Sequence, residues 1–204
     1  MTRSDLRALA KKYAGSSQDM ITDSQYNTFL SDAETIMVRA SKYLDGSDTS
    51  QTTTAGTADY TLAANSLSLK YLKWGQYILD GQRDYISYEE YLVLTAQGIT
   101  QGTSDRFAVF SGQIYLYPAP NAANTLEQYF IKKPVPPALD TDSYTIPDEL
   151  QKYLGFYAAA QAKIADQEDA SLFLGLFRDE GIPALTAAKD KTVYRAEQIE
   201  YRDF

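Results

Sequence analysis

The sequence predicts an α+β fold. Packed helices from both ends of the chain form a helical core, and a small antiparallel β region is inserted between them. Three observations carry this prediction. Apolar residues recur every three or four positions over residues 22–46 and again over 147–165, the repeat of helices with one buried face. Between those stretches the period falls to two, around residues 67–71 and 107–117, as in half-buried strands. The 204 residues are 44% hydrophobic and 13% aromatic, enough apolar material for one core or two small ones and too much for a disordered chain.

A first helix is expected near residues 4–14. Ser4 caps it, Leu6, Leu9, Ala10 and Tyr13 share a face, and Gly15 ends it. In the second helix Thr22 and Gln25 have capping-box spacing. Tyr26, Phe29, Leu30, Ala33, Met37, Ala40 and Leu44 then keep the repeat, and Gly46 stands where a left-handed residue closes a helix.

Residues 47–61 are Thr-rich and predict two short strands around Ala55-Gly56, because β-branched Thr favours extended backbone. Leu67, Leu69 and Tyr71 alternate with Ser68 and Lys70. Leu72 and Trp74 fall on the opposite phase, which implies a bulge or a strand leaving its sheet. Residues 87–97, SYEEYLVLTAQ, read as a short helix capped by Ser87 with Glu89 and Glu90 in its first turn. Phe107 and Val109, then Ser111-Gly112, then Ile114 and Leu116 form a hairpin. Residues 126–132 read as the third strand of a meander.

Pro134, Pro136 and Pro137 make a stiff connector. Pro147 stands at the first turn of the next helix, with Asp148 and Glu149 at its positive end. Leu150, Tyr153, Leu154, Tyr157, Ala158, Gln161, Ala162 and Ala165 follow the repeat. The Ala-rich face of this helix admits a second helix at close range. Asp169 is expected to cap that partner, and Gly181-Ile182-Pro183 to break or kink it. The chain reads as one domain of N-terminal helices (1–46), a β-rich insertion with a short helix (47–135), C-terminal helices (145–190) and an arm (191–204).

Composition removes many chemistries. With no Cys there is no disulfide framework, thiolate metal site or cysteine nucleophile. With no His there is no Ser-His-Asp triad or His-ligated metal. Neither G-x-x-x-x-G-K-[ST] nor G-x-G-x-x-G occurs, so a phosphate loop is not predicted. Asp140, Asp142, Asp148 and Glu149 lack the glycine and terminal glutamate of a calcium loop and read as turn and cap residues. Glu89 and Glu90 are adjacent in a helix and point to different sides, unlike a glycosidase pair. No enzymatic activity and no cofactor is therefore expected.

The net charge of -8 predicts repulsion of nucleic acid over most of the surface. Lys70, Lys73, Lys132 and Lys133, close to Tyr71, Trp74 and Tyr129, could form a basic aromatic face. Lysines on strands also protect sheet edges, and the acidic balance favours that role. No apolar run reaches the ~18 residues of a membrane span. The N-terminal MTRSDLRALAKKY has no apolar signal core, which suggests a cytoplasm-like site of synthesis and use.

The chain has 17 Tyr, 8 Phe and 1 Trp. The tyrosines either replace Phe in a small core or lie in half-wet subunit interfaces, and composition leaves both open. Tyr71, Trp74, Tyr115, Tyr117, Tyr153 and Tyr157 are the candidates for subunit or tail contacts. Trp74 with its neighbouring Tyr could alternatively serve a carbohydrate- or surface-binding β module. The last residues carry Val193, Tyr194, Ile199, Tyr201 and Phe204 among alternating charges. They form either a final helical turn on their own domain or an arm that docks on a partner.

Taken together, three segments resemble tailed-bacteriophage head–tail adaptor (connector, or head-completion) proteins. QTTTAGTADYTLAANSLSLKYLKW is similar to that family's strand region, with Tyr60-Thr61-Leu62 matching and Ala63 in place of the usual proline. SGQIYLYPAPNAANTLEQYFIKKP is similar to its second signature, with Gly112 in the turn and Pro118-x-Pro120 closing the strand. DTDSYTIPDEL followed by YAAAQAKIADQ is similar to its third. The resemblance spans residues 22–190. It implies a structural virion protein, assembled in the host cytoplasm and placed at the head–tail interface. Such a protein forms a homo-oligomeric ring, commonly a dodecamer, below the portal protein ring. The ring extends the channel through which double-stranded DNA passes without specific binding, and it gives tail or nozzle proteins a docking platform. The resemblance further implies that the C-terminal arm reaches onto the portal, and it implies no membrane partner.

Overall fold

The computed structural model describes residues 1–98 and 100–190. In chain order these form α1 (Arg3–Ala14), a 3-10 turn (Gly15–Met20), α2 (Asp23–Ser41), β1 (Asp45–Thr52), β2 (Asp59–Thr61), β3 (Ser66–Trp74), β4 (Tyr77–Asp80), α3 (Tyr88–Ala96), β5 (Gln101–Gly102), β6 (Arg106–Phe110), β7 (Gln113–Tyr117), β8 (Ala119–Pro120), β9 (Thr125–Lys132), α4 (Lys152–Ala165) and α5 (Ser171–Gly175). The chain divides into two compact units. Met1–Leu44 and the chain from Lys133 onward form a helical unit, and Asp45–Lys132 form a β unit inserted into it. This is an α+β fold with the helical core and inserted antiparallel strands that the sequence predicts.

In the helical unit, Thr2 rather than Ser4 caps α1. Its hydroxyl accepts from the Asp5 amide, and the Asp5 carboxylate accepts from the Thr2 amide. The reciprocal pair satisfies two otherwise orphaned amides, which Ser4 in the first turn does not do. The Thr22–Gln25 capping box of α2 forms in both directions. That helix ends at Ser41, with Lys42 left-handed at φ 54°. Gly46, expected to close it, instead lies in β1, where a Cβ would come 2.7 Å from the Phe130 ring. Close packing, not a turn, requires that glycine.

Helix α4 is the centre of the unit and contacts α1, α2 and α5. Its Leu154, Ala158, Ala159, Ala160 and Ala162 are fully buried. Small side chains let neighbouring backbones come close, and a Cβ on Gly155 would lie 3.3 Å from Leu9. Asp169 accepts from the Ser171 amide at the start of α5. Beyond α5 the chain does not break at Gly181-Ile182-Pro183. It passes through a π-helical turn (Leu176–Gly181) and continues as helix over residues 182–190. Pro183 lacks an amide hydrogen and would crowd the carbonyl four residues back, and the wider turn before it absorbs that conflict. Gly181 presses on Tyr153, whose Cγ would lie 2.8 Å from an added Cβ.

In the β unit, the four-stranded sheet has the order β1-β9-β3-β4 and the three-stranded sheet β2-β7-β6, while β5 and β8 form a short parallel pair. Tyr60, Phe107, Ile114 and Leu116 from the second sheet share a core with Leu72, Trp74, Leu79 and Leu126 from the first. The phase change before Leu72 is a register shift against β9 between Leu69 and Tyr71, as the sequence predicts. The β6–β7 hairpin turns at Ser111 and Gly112, both at positive φ.

The two strands expected around Ala55-Gly56 are present as β1 and β2, and each pairs elsewhere, β1 with β9 and β2 with β7. One expectation is corrected here. The strand at 125–132 is not the third strand of a meander, because it sits between β1 and β3. Pro118 and Pro120 offer no amide for a ladder at the end of β7, and the chain leaves that sheet there.

The Gly181–Tyr153 contact gives a direct test. Gly181→Ala should lower unfolding stability by about 1–3 kcal/mol through overpacking, with the far-ultraviolet circular dichroism unchanged. Urea titration measures it, and wild-type stability in the variant would contradict the close packing.

Candidate interaction surfaces

The sequence candidates divide by burial. Trp74 is 2% exposed, and its indole Nε1 donates to Thr53 Oγ1 at 2.9 Å. Its ring belongs to the β-unit core, so it offers no open platform for a sugar. Tyr117 is buried and donates its hydroxyl to the Leu94 carbonyl at 3.3 Å. Tyr153 is buried beside Gly181, and its hydroxyl is 3.3 Å from Glu180 Oε2. Tyr71, Tyr115 and Tyr157 are half-buried. Tyr71 stacks on Tyr129 at 4.4 Å, and Tyr157 lies 4.9 Å from Phe177. The arm residues Val193, Tyr194, Ile199, Tyr201 and Phe204 lie outside the described residues.

Tyr115 belongs to an aromatic ladder on the β unit. Tyr88 of α3 stacks on Phe110 at 4.4 Å and lies 4.9 Å from Tyr115, which in turn is 5.3 Å from Tyr91. Such ring pairs contribute beyond area burial, by about 0.5–1.5 kcal/mol each. They hold α3 on the hairpin and leave Leu92, Val93 and Phe110 at least half exposed. Sequence reading did not single out these three. The signal was present, because consecutive apolar residues 92–94 in a helix point about 100° apart and cannot all face one core.

The possible basic face is half engaged, because Lys132 and Lys133 are exposed while the other two lysines are paired. Lys70 pairs with Asp45 at 2.8 Å and Lys73 with Glu127 at 2.9 Å, while Trp74 faces the core. The acidic loop also resolves into local contacts. Asp142 accepts from the Ala138 and Leu139 amides. Asp140 binds Arg3 and Arg7 of α1, at 2.9 Å from each guanidinium. These hydrogen bonds hold the Asp140 carboxyl down to about 2. Among the described residues no set of three or more acidic side chains is placed to hold a metal ion, and no helix is long and apolar enough to cross a membrane.

What the described residues assemble is a helical unit stitched by ion pairs and a β unit that presents apolar and aromatic faces, the parts of a structural protein that works by binding other proteins. Comparison with known families places it more closely. Residues 1–198 match the family described as SU10 adaptor protein, and the chain belongs to that family of bacteriophage structural adaptors. The resemblance to phage adaptors read from the three sequence segments is therefore correct. Comparison with curated proteins gives no match.

The Asp140 pairs predict a pH dependence. A carboxyl with a depressed pKa contributes stability that is full above its ordinary value of 3.8 and is lost as the pH falls to about 2. Asp140→Asn should lower the thermal midpoint at neutral pH, and the gap to the parent should close across that acid range. A gap of constant size down to the lower limit would assign the effect to something other than these ion pairs.

Proposed function

We propose that this adaptor is a head-to-tail connector that assembles as a homo-oligomeric ring, commonly a dodecamer in such proteins, below the portal of the virion. The ring extends the DNA channel and provides the docking platform for tail or nozzle proteins. The observation that carries the reading is the family match over residues 1–198. Two further features support it. The net charge of -8 and the pairing of Lys70 and Lys73 with carboxylates suit a channel that lets DNA slide without holding it. The exposed apolar residues of the β unit suit contacts between neighbouring subunits or with the tail. Burial of Trp74 removes the ring on which a carbohydrate-binding reading rests.

In this reading Val193, Tyr194, Ile199, Tyr201 and Phe204 form the arm that engages the portal, and the tyrosines left half-buried are available to subunit contacts. Removing residues 193–204 should weaken capture by immobilised portal while leaving the circular dichroism spectrum intact. Portal binding at the parental level would end the arm assignment. The pure protein should also remain monomeric or weakly associated until portal is added, because in this reading the portal supplies part of the contact that holds the subunits in place. Mass photometry checks this, and stable rings without portal would contradict it.

A further inference from the structure

The helix over residues 182–190 forms one wall of an open groove in the helical unit. The groove holds about 520 Å³, and Tyr43, Pro147, Leu150, Ala184, Ala187 and Ala188 line it together with the exposed Glu149. Its walls are set before anything enters. Leu185 of that helix is fully buried, Leu150 is buried as well, and the Lys189 ammonium donates to the Lys42 carbonyl beside Tyr43. Ala184, Ala187 and Ala188 share one helical face, and side chains that stop at Cβ leave the space in front of them open. An apolar cavity of roughly 150 Å³ accepts a benzene-sized guest, so the groove has room for an aromatic ring and a branched aliphatic side chain.

Chain continuity and charge single out an occupant. Ala188 stands on the groove wall, and Val193 and Tyr194 follow it within six positions. A segment tethered that close meets its site at an effective concentration of roughly millimolar, above that of a separate copy in an ordinary solution. Among the described residues none pairs with the Glu149 carboxylate, whereas Asp148 next to it binds the N-terminal ammonium at 3.0 Å. Arg195 follows Tyr194 directly and supplies a cation at the matching point of the segment.

We propose that in the unassembled protein this groove seats Val193 and Tyr194 of its own chain, with Arg195 against Glu149, and that the portal withdraws them. The inference deepens the arm assignment above and rests on it for the release step. Engagement of the portal then competes with an internal contact. The apparent affinity for portal is reduced by the fraction of molecules whose arm is free, and the two apolar side chains are covered until the partner arrives.

The chain has no cysteine, so Ala184→Cys places a single thiol on the groove wall. Its rate of labelling by a bulky maleimide reports whether the groove is filled. Removing residues 193–204 from this variant should speed labelling about tenfold, the ratio that about 1.4 kcal/mol of seating gives. Glu149→Lys should also speed it, and adding Arg195→Glu in the same chain should slow it again. Ala187→Phe, which fills the groove in place of the segment, should tighten portal capture by a similar factor. Equal labelling with and without residues 193–204 would overturn the proposal while leaving portal capture by the arm intact. Protection that grows with protein concentration would put a second copy's residues in the groove and overturn it too. Capture unchanged by Ala187→Phe but lost on truncation would overturn the release step and spare the arm assignment. Capture that survives truncation would end the arm assignment, and the release step with it, whatever the labelling shows.

Discussion

The helical unit is made from two stretches of chain with the entire β unit between them, and the buried carboxylate of Glu34 is the interaction that joins them. Glu34 is 1% exposed, and its Oε1 accepts from the amides of Thr145 and Ile146. Gln151 works on the same turn, donating to the carbonyls of Tyr144 and Ile146. The returning chain is thus held through its backbone as well as through the buried side chains of Tyr144 and Ile146. Leaving buried amides unpaired costs about 1–3 kcal/mol each, so the clamp is strongly specified. It carries a cost of its own, because burial pushes the Glu34 carboxyl above its ordinary value and two backbone amides only partly oppose this. Arg3 and Arg7 add an outer seam on Asp140, so α1 and α2 each hold the returning segment.

With that closure made, α4 can occupy the middle of the unit. Its alanines contribute little packing area individually, but they permit α1, α2 and α5 to approach at once. The π-helical turn is a consequence of the same economy. The helix that follows α5 must keep Gly181 against Tyr153 while accommodating Pro183 two residues later, and a local widening satisfies both.

Local chemistry made much of the fold legible. The Thr22–Gln25 box, the Ser87 cap, the Ser111-Gly112 hairpin and the bulge before Leu72 all follow from spacing over a few residues. What spacing did not reveal was long-range choice. Neither the transfer of β9 to the other sheet nor the separation of β1 from β2 is encoded by alternation, because alternation specifies faces and not neighbours. The candidate contact residues divide by burial in a way that residue type does not show. Aromatic type alone suggested Trp74, Tyr117 and Tyr153 as contact residues, but in this structure each ring is buried and each polar tip has a hydrogen-bond partner within the chain. Leu92 and Val93 attracted no notice because a short helix with an unbalanced apolar run resembles a core helix until its single packing face is seen.

Tyrosine therefore does two jobs in one molecule. In the β unit, Tyr88 and Tyr91 of α3 lie against each other and against Tyr115 of β7, which seats the helix without consuming its outer surface. A layer of aliphatic side chains in their place would bury a similar area but would lack the offset stacking that fixes the helix angle. Fixing that angle matters for an adaptor, because a surface held rigid before contact loses less conformational freedom on binding. An exposed apolar pair on a firmly seated short helix is thus more useful than the same pair on a loop, and the aromatic richness of the chain follows from needing rigid edges as much as from needing a core.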